Sequence, residues 1–173
     1  MKNLKNIIIY VLIVVVLCLA VFVLFQYYSR VNQIDKTVVT QEPEIVKVLA
    51  YYSNSVTNPQ MLDCSLVFPV ERIVTSREKI YEETINNLLL GPTKEEVMQG
   101  YSNLIPAGTR LNFVKFDDGV LQADFNESLD RGVGGSCLVS AIRSQIERTM
   151  RQWPEVKSVV ISIKGESEII LQP

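Results

Sequence analysis

The sequence predicts an α+β fold: a two-layer sandwich in which two main helices cover one face of a mixed sheet, preceded by one transmembrane helix. Three observations predict it. A charge-free apolar run stands near the N-terminus, short β-rich segments recur after it, and two later stretches carry an apolar stripe at helical spacing.

The apolar run covers residues 7–25. As a helix it measures about 28 Å, close to the ~30 Å hydrocarbon core of a bilayer. A soluble helix of that length shows a polar stripe, and this run has none. It is longer than the core of a cleaved signal peptide, and Gln26-Tyr27-Tyr28-Ser29 follows it where a cleavage site would carry small residues. Cys18 lies inside the run after Val16-Leu17, which reads as a helix residue and not as a lipidation site. Tyr27 and Tyr28 read as interfacial anchors. The expected organisation is a cytoplasmic tail (1–6), a signal-anchor helix (7–28), a semi-extended linker (29–43) and an extracytoplasmic domain (44–173). Lys2 and Lys5 before the run keep the tail inside by the positive-inside tendency. The domain is then expected on the periplasmic or cell-wall side of a single-pass membrane protein.

Residues 44–52 alternate as a central strand, with Val46, Val48, Ala50 and Tyr52 on one face. Turn residues 53–59 follow. Residues 64–74 read as a second strand, where Pro69 points to an edge or a bulge. Thr75 and Glu78 have capping-box spacing, which predicts a helix start. Tyr81, Ile85, Leu88 and Leu89 form its apolar stripe, and Gly91-Pro92 ends it. Thr93 and Glu96 repeat the box and open a short helix ending near Gly100. Residues 110–116 and 120–125 form a hairpin around Asp117-Asp118-Gly119. In its second strand Leu121, Ala123 and Phe125 face one way, and Asp124 is expected to face solvent. After Gly132-Val133-Gly134-Gly135-Ser136 comes the longest helix of the domain, with Leu138, Ile142, Ile146, Met150 and Trp153 on its stripe and Pro154 as its stop. Trp153 reads as a core plug. Residues 159–163 form a last strand.

These segments carry a resemblance. Leu88-Leu89-Leu90-Gly91-Pro92-Thr93, then Leu104-Ile105-Pro106-Ala107-Gly108-Thr109, then Leu121-Gln122-Ala123-Asp124-Phe125, then Trp153-Pro154-Glu155-Val156 before Val159-Val160-Ile161-Ser162-Ile163-Lys164-Gly165 stand in one order. In that order and spacing they resemble the GerM-type (GerMN) domain of sporulation and spore-germination proteins, over about residues 45–164. The resemblance implies a membrane-attached, extracytoplasmic domain similar to the ring-building modules of sporulation and secretion channels, and it supplies no catalytic residues. The chain departs from the founding member in having one copy and a transmembrane anchor in place of two copies and a lipid.

Several chemistries are excluded or weakened. The chain has no histidine, which removes Ser-His-Asp triads, Cys-His dyads and ordinary zinc sites together. Ser136 and Ser140 have no evident activating lysine. Residues 44–173 hold 13 Lys and Arg against 17 Asp and Glu, a net charge of −4 that gives no grip on nucleic acid. Asp124, Glu127 and Asp130 lack the glycine and distal glutamate of a calcium loop. No cofactor or metal is expected.

Two features stay open. Gly132, Gly134, Gly135 and Ser136 precede a helix and would suit an anion or small ligand, or else form a plain connection without the ending of a phosphate loop. Cys64 and Cys137 either pair in an oxidising space, adding about 4 kcal/mol, or remain two buried thiols. The expected function is non-catalytic: packing against other copies or other envelope proteins in a sporulation-, germination- or division-related assembly. The alternative is a tethered binding module for a cell-wall fragment or small ligand.

Overall fold

The structure, a computed structural model, describes residues 2–37 and 45–172. The chain divides into two units, Met1–Glu42 and Pro43–Pro173.

The first unit contains helix α1, Lys2–Thr37. Its window Ile13–Arg30 is long and apolar enough to cross a membrane, and every side chain in that window is exposed. The helix continues beyond Tyr28 through the first nine residues of the expected linker. No glycine or proline stands between Ser29 and Thr37 to stop it. The remainder of the expected linker, 38–43, lies outside the described residues.

The second unit is α+β. Its strands are β1 (Val46–Asn54), β2 (Phe68–Val74), β3 (Tyr101–Ser102), β4 (Leu111–Asp117), β5 (Val120–Phe125) and β6 (Ser158–Ile163). Its helices are α2 (Ile80–Leu90), α3 (Lys94–Met98) and α4 (Ser136–Met150). The strands form two three-stranded sheets, ordered β2-β1-β3 and β4-β5-β6, where one sheet was expected. The first is antiparallel throughout, and the second pairs β4 antiparallel and β6 parallel to β5.

The division has a visible cause. On the edge of β1 away from β2, Ser53 and Asn54 pair with β3. Further along that edge, side chains take the place of a neighbouring strand. Leu49 N–H donates to Gln152 Oε1 at 2.9 Å and Tyr51 N–H to Thr149 Oγ1 at 3.0 Å, while Gln152 Nε2 donates to the Leu49 carbonyl at 2.9 Å. Four residues before Thr149, Gln145 accepts from Leu104 N–H at 3.0 Å and donates to the Ser102 carbonyl at 3.2 Å. Gln145, Thr149 and Gln152 recur at i, i+4 and i+7, so one polar stripe of α4 and the turn after it occupies the backbone groups that would otherwise recruit another strand.

The core lies between the sheets and the helices. Tyr52, Ile85, Leu88, Leu121, Phe125, Ile142, Ile146 and Met150 are fully buried there. One face of β5 behaves as expected and the other does not. Leu121, Ala123 and Phe125 enter the core, yet Asp124 on the opposite face is only 2% exposed. A bulge in β4 between Leu111 and Phe113 leaves Asn112 unpaired in the ladder. Its side chain donates to Asp124 Oδ2 at 2.9 Å, and Ser162 of β6 donates to Oδ1 at 2.7 Å. The Gly165 N–H adds a third bond at 2.7 Å. The expectation of a solvent-facing Asp124 is thereby corrected.

The turns follow their residues closely. Asp118 (φ 43°) and Gly119 (φ 81°) both lie left-handed and join β4 to β5 in a two-residue hairpin. Thr93 and Glu96 form the expected capping box of α3. Thr75 and Glu78 do not cap α2, which starts at Ile80. Instead the Glu83 carboxylate reaches back to Thr75 N–H at 2.7 Å. The second strand is shorter than expected, starting at Phe68 and leaving Cys64 in the preceding loop, and it lies at a sheet edge as Pro69 requires. Trp153 sits just past α4, half-buried, with its ring edge-on to Tyr81 at 4.8 Å between centroids.

Candidate functional site

The residues Leu90-Gly91-Pro92 and Ile105-Pro106-Ala107-Gly108-Thr109, on either side of α3 and β3, line one open groove of about 490 Å³ together with Val97, Tyr101 and Asn103. Its walls are held from below. Gly91, at φ 82°, closes α2 with its N–H on the Leu88 carbonyl at 3.1 Å. Asn103 spans the groove base, donating to the Leu88 carbonyl at 3.3 Å and accepting from Ile105 N–H at 3.0 Å. Tyr52, rising from the core, donates its hydroxyl to the Asn87 and Leu88 carbonyls. On the far wall the Thr109 hydroxyl turns back to the Pro106 carbonyl at 2.7 Å, and Asn126 donates to the Gly108 carbonyl at 3.0 Å.

A charged clamp fixes the near wall. Arg72 of β2 grips Glu96 of α3 with both ends of its guanidinium and donates to the Gly91 carbonyl at 3.3 Å. It also lies over the Tyr52 ring, 5.6 Å from the centroid. Hydrogen bonding from Arg72 holds the Glu96 carboxyl below its usual range and raises the guanidinium in turn. Burial pushes the Tyr52 hydroxyl up.

The groove presents apolar and polar surface in similar measure. Leu90 is 83% exposed and Val97 55%, and Met98 beside Val97 is 79% exposed. Tyr101 is the one ionisable residue in the lining, which otherwise offers backbone, amide and hydroxyl groups. Such a surface can bind; it holds no acid-base pair.

A second groove, of about 520 Å³, is lined by Glu127, Asp130, Lys164, Glu166 and Ile169 among others. Three of its charged groups are engaged locally. Lys164 pairs with Glu127, whose carboxyl is held low by that lysine, and Asp130 accepts the Leu171 N–H at 3.1 Å. The three carboxylates Asp124, Glu127 and Asp130 thus serve three different partners, and no metal-holding acidic cluster occurs among the described residues.

Gly132, Gly134, Gly135 and Ser136 are all exposed, and none of them lines either groove. Gly135 caps α4 at φ 82° without any side-chain bond. One residue beyond Ser136, Cys137 is joined to Cys64 by a disulfide with the Cα atoms 5.0 Å apart. The sequence singles out both segments that build the groove but not the groove itself. What signalled them was their resemblance, and nothing in either segment shows that they face each other.

A family model described as sporulation and spore germination matches residues 49–168. No curated protein matches the chain. Among solved structures, the tandem GerMN domains of the sporulation protein GerM from Bacillus subtilis match with a TM-score of 0.57 at 24% identity, over 73% of this chain and 41% of that one. The first GerMN domain of the same protein matches with a TM-score of 0.50 at 19% identity, over 70% and 85%. The chain therefore spans less than half of the tandem structure, and likeness at these identities shows the fold.

Proposed function

Because the chain belongs to the Germane family of sporulation and spore germination, we propose that it is a non-catalytic envelope protein, anchored by its N-terminal helix with the domain outside the cytoplasm. In this reading the domain works by packing against other envelope proteins, its own copies included, in an assembly related to sporulation, germination or division. The observation that carries the reading is the braced groove with Leu90 and Val97 exposed in its lining, and Met98 exposed next to Val97 in sequence. Exposed apolar side chains on a rigid wall favour a protein partner over a small polar ligand. Two features support the placement: the apolar window of α1 behind Lys2 and Lys5, and a disulfide, which persists in oxidising compartments.

The test is the mass of the complex extracted from its native membrane in mild detergent. A defined stoichiometry above one protomer is the expected result. A lone protomer after gentle crosslinking would shift the reading to a tethered binding module for a cell-wall fragment or small ligand.

A further inference from the structure

We propose that the Cys64–Cys137 bond is an exchange site for an extracytoplasmic dithiol reductant, attacked at Cys64 and releasing Cys137, and that its opening uncouples two surface loops while the core stays closed. This goes beyond the packing role and is tested without it.

The bond joins segments that have little else in common. Hydrogen bonds of residues 59–66 end within the loop or on Asn58 at its start. Met61 and Asp63 N–H groups turn to Asn58, the Asn58 amide donates to the Asp63 carbonyl at 2.7 Å, and Ser65 and Leu66 turn to Asp63. No residue of 59–66 belongs to the core cluster. Across the bond, the space around Gly132, Gly134 and Gly135 is open to 4 Å where a side chain would stand. Among the described residues the disulfide joins the 59–66 loop to α4, and no hydrogen bond or ion pair connects the two. Gln60 (φ 57°) and Met61 (φ 52°) lie in the left-handed region that non-glycine residues avoid.

The chemistry has a direction. Both sulfurs belong to half-exposed residues, so a thiolate can reach them. Cys137 is the second residue of the 15-residue α4, and Gly135 leaves the first N–H groups without a side-chain cap. A helix N-terminus stabilises a thiolate, which makes Cys137 the better leaving group. Exchange is faster when the departing thiol is the more acidic one. One thiolate of the dithiol attacks Cys64 Sγ, the Cys64–Cys137 bond breaks, and the electron pair leaves on Cys137, which takes a proton. The second thiol of the reductant then displaces Cys64 from the mixed disulfide. The protein gains two electrons and two protons, and the reductant leaves as a cyclic disulfide.

The full chain in detergent micelles is treated briefly with glutathione, alkylated and mapped by mass spectrometry. The adduct should fall on Cys64 and the alkyl group on Cys137, by about tenfold over the reverse. An adduct mainly on Cys137 overturns the direction of attack. Hydrogen exchange is then compared before and after full reduction with dithiothreitol. Exchange at the hydrogen-bonded amides of Met61, Asp63, Ser65 and Leu66 should rise about tenfold while β1, β5 and the body of α4 keep their protection. Loss of protection in those core elements, or unchanged exchange at those loop amides, overturns the uncoupling.

Discussion

Arg72 and Glu96 meet as a two-point fork, Nη1 to Oε1 at 2.8 Å and Nη2 to Oε2 at 2.7 Å, tying β2 to the first turn of α3. The same carboxylate accepts the Thr93 N–H at 2.8 Å, so one glutamate closes the capping box and receives the fork. Both side chains are largely withdrawn from water, at 13% and 16% exposure. The groove wall at Gly91 depends on this pair, because Arg72 reaches the Gly91 carbonyl with the same nitrogen.

Glu96→Gln should therefore destabilise the domain by about 2 kcal/mol at neutral pH, since a guanidinium is left without its counter-charge. The Glu96 carboxyl titrates below its ordinary value in the folded protein. Its contribution is complete above the unfolded carboxylate's pKa and is lost as pH falls through the lower folded one. Denaturant midpoints of the two proteins should thus differ at pH 7 and converge in acid. A difference that persists unchanged at pH 2 would mean that packing, not charge, is what Glu96 supplies. Arg72→Lys should recover only part of the stability, because an ammonium cannot form the fork.

Asp124 makes a related prediction with a different balance. Burial works to raise its pKa, and hydrogen bonds from Asn112, Gly165, Ser162 and Lys164 together outweigh it and bring the carboxyl below the usual range. The sign is again that of a depressed carboxylate, with stability present at neutral pH and lost in acid. Asp124→Asn removes an acceptor from a site surrounded by donors and turns an NH₂ toward at least one of them. A loss of about 2 kcal/mol is expected in a urea melt at pH 7. Ser162→Ala should cost less, about 1 kcal/mol, since the carboxylate keeps its other donors.

Thr149 is fully buried and lends its hydroxyl to the Tyr51 N–H. Thr149→Val keeps the shape and strands that N–H, so a loss of about 1–3 kcal/mol is expected. Thr149→Ser should be milder, because the acceptor survives. Amide exchange resolves the mechanism: the Tyr51 amide should exchange faster in the valine variant while Val48 and Ala50 remain slow. Equal acceleration along all of β1 would point to a packing defect instead.

These three cases also mark where the sequence could and could not be read. Asp117-Asp118-Gly119 announced its hairpin, Thr93 with Glu96 its cap, and Gly91-Pro92 its stop, because each depends on residues a few positions apart. Thr75 and Glu78 have the same spacing as a true box, but α2 begins later and Glu83 takes the Thr75 N–H. Asp124 followed the alternation of β5 outward, and only the β4 bulge, Ser162 and Gly165 explain its burial. Gln145, Thr149 and Gln152 look like the wet side of an amphipathic helix. Their role appears once α4 lies along the edge of β1, a relation between residues about a hundred positions apart. The two halves of the groove are legible one by one, but their facing each other depends on the chain turning through α3 and β3 between them.

The groove supports the sharpest test of the packing role. Leu90 and Met98 are 83% and 79% exposed and belong to neither core nor clamp. Leu90→Glu with Met98→Glu should accordingly change the unfolding free energy by no more than about 0.5 kcal/mol. If the groove is the packing surface, Leu90→Glu places a carboxylate in its lining with Met98→Glu next to lining residue Val97 in sequence, and burying such a charge unpaired is costly. The complex extracted from native membranes should then fall to the mass of a single protomer, while Lys115→Ala on exposed β4 leaves it intact. Survival of the complex in the double variant would assign the packing to another face of the domain, and loss of the fold would show as a lowered midpoint before any mass is measured.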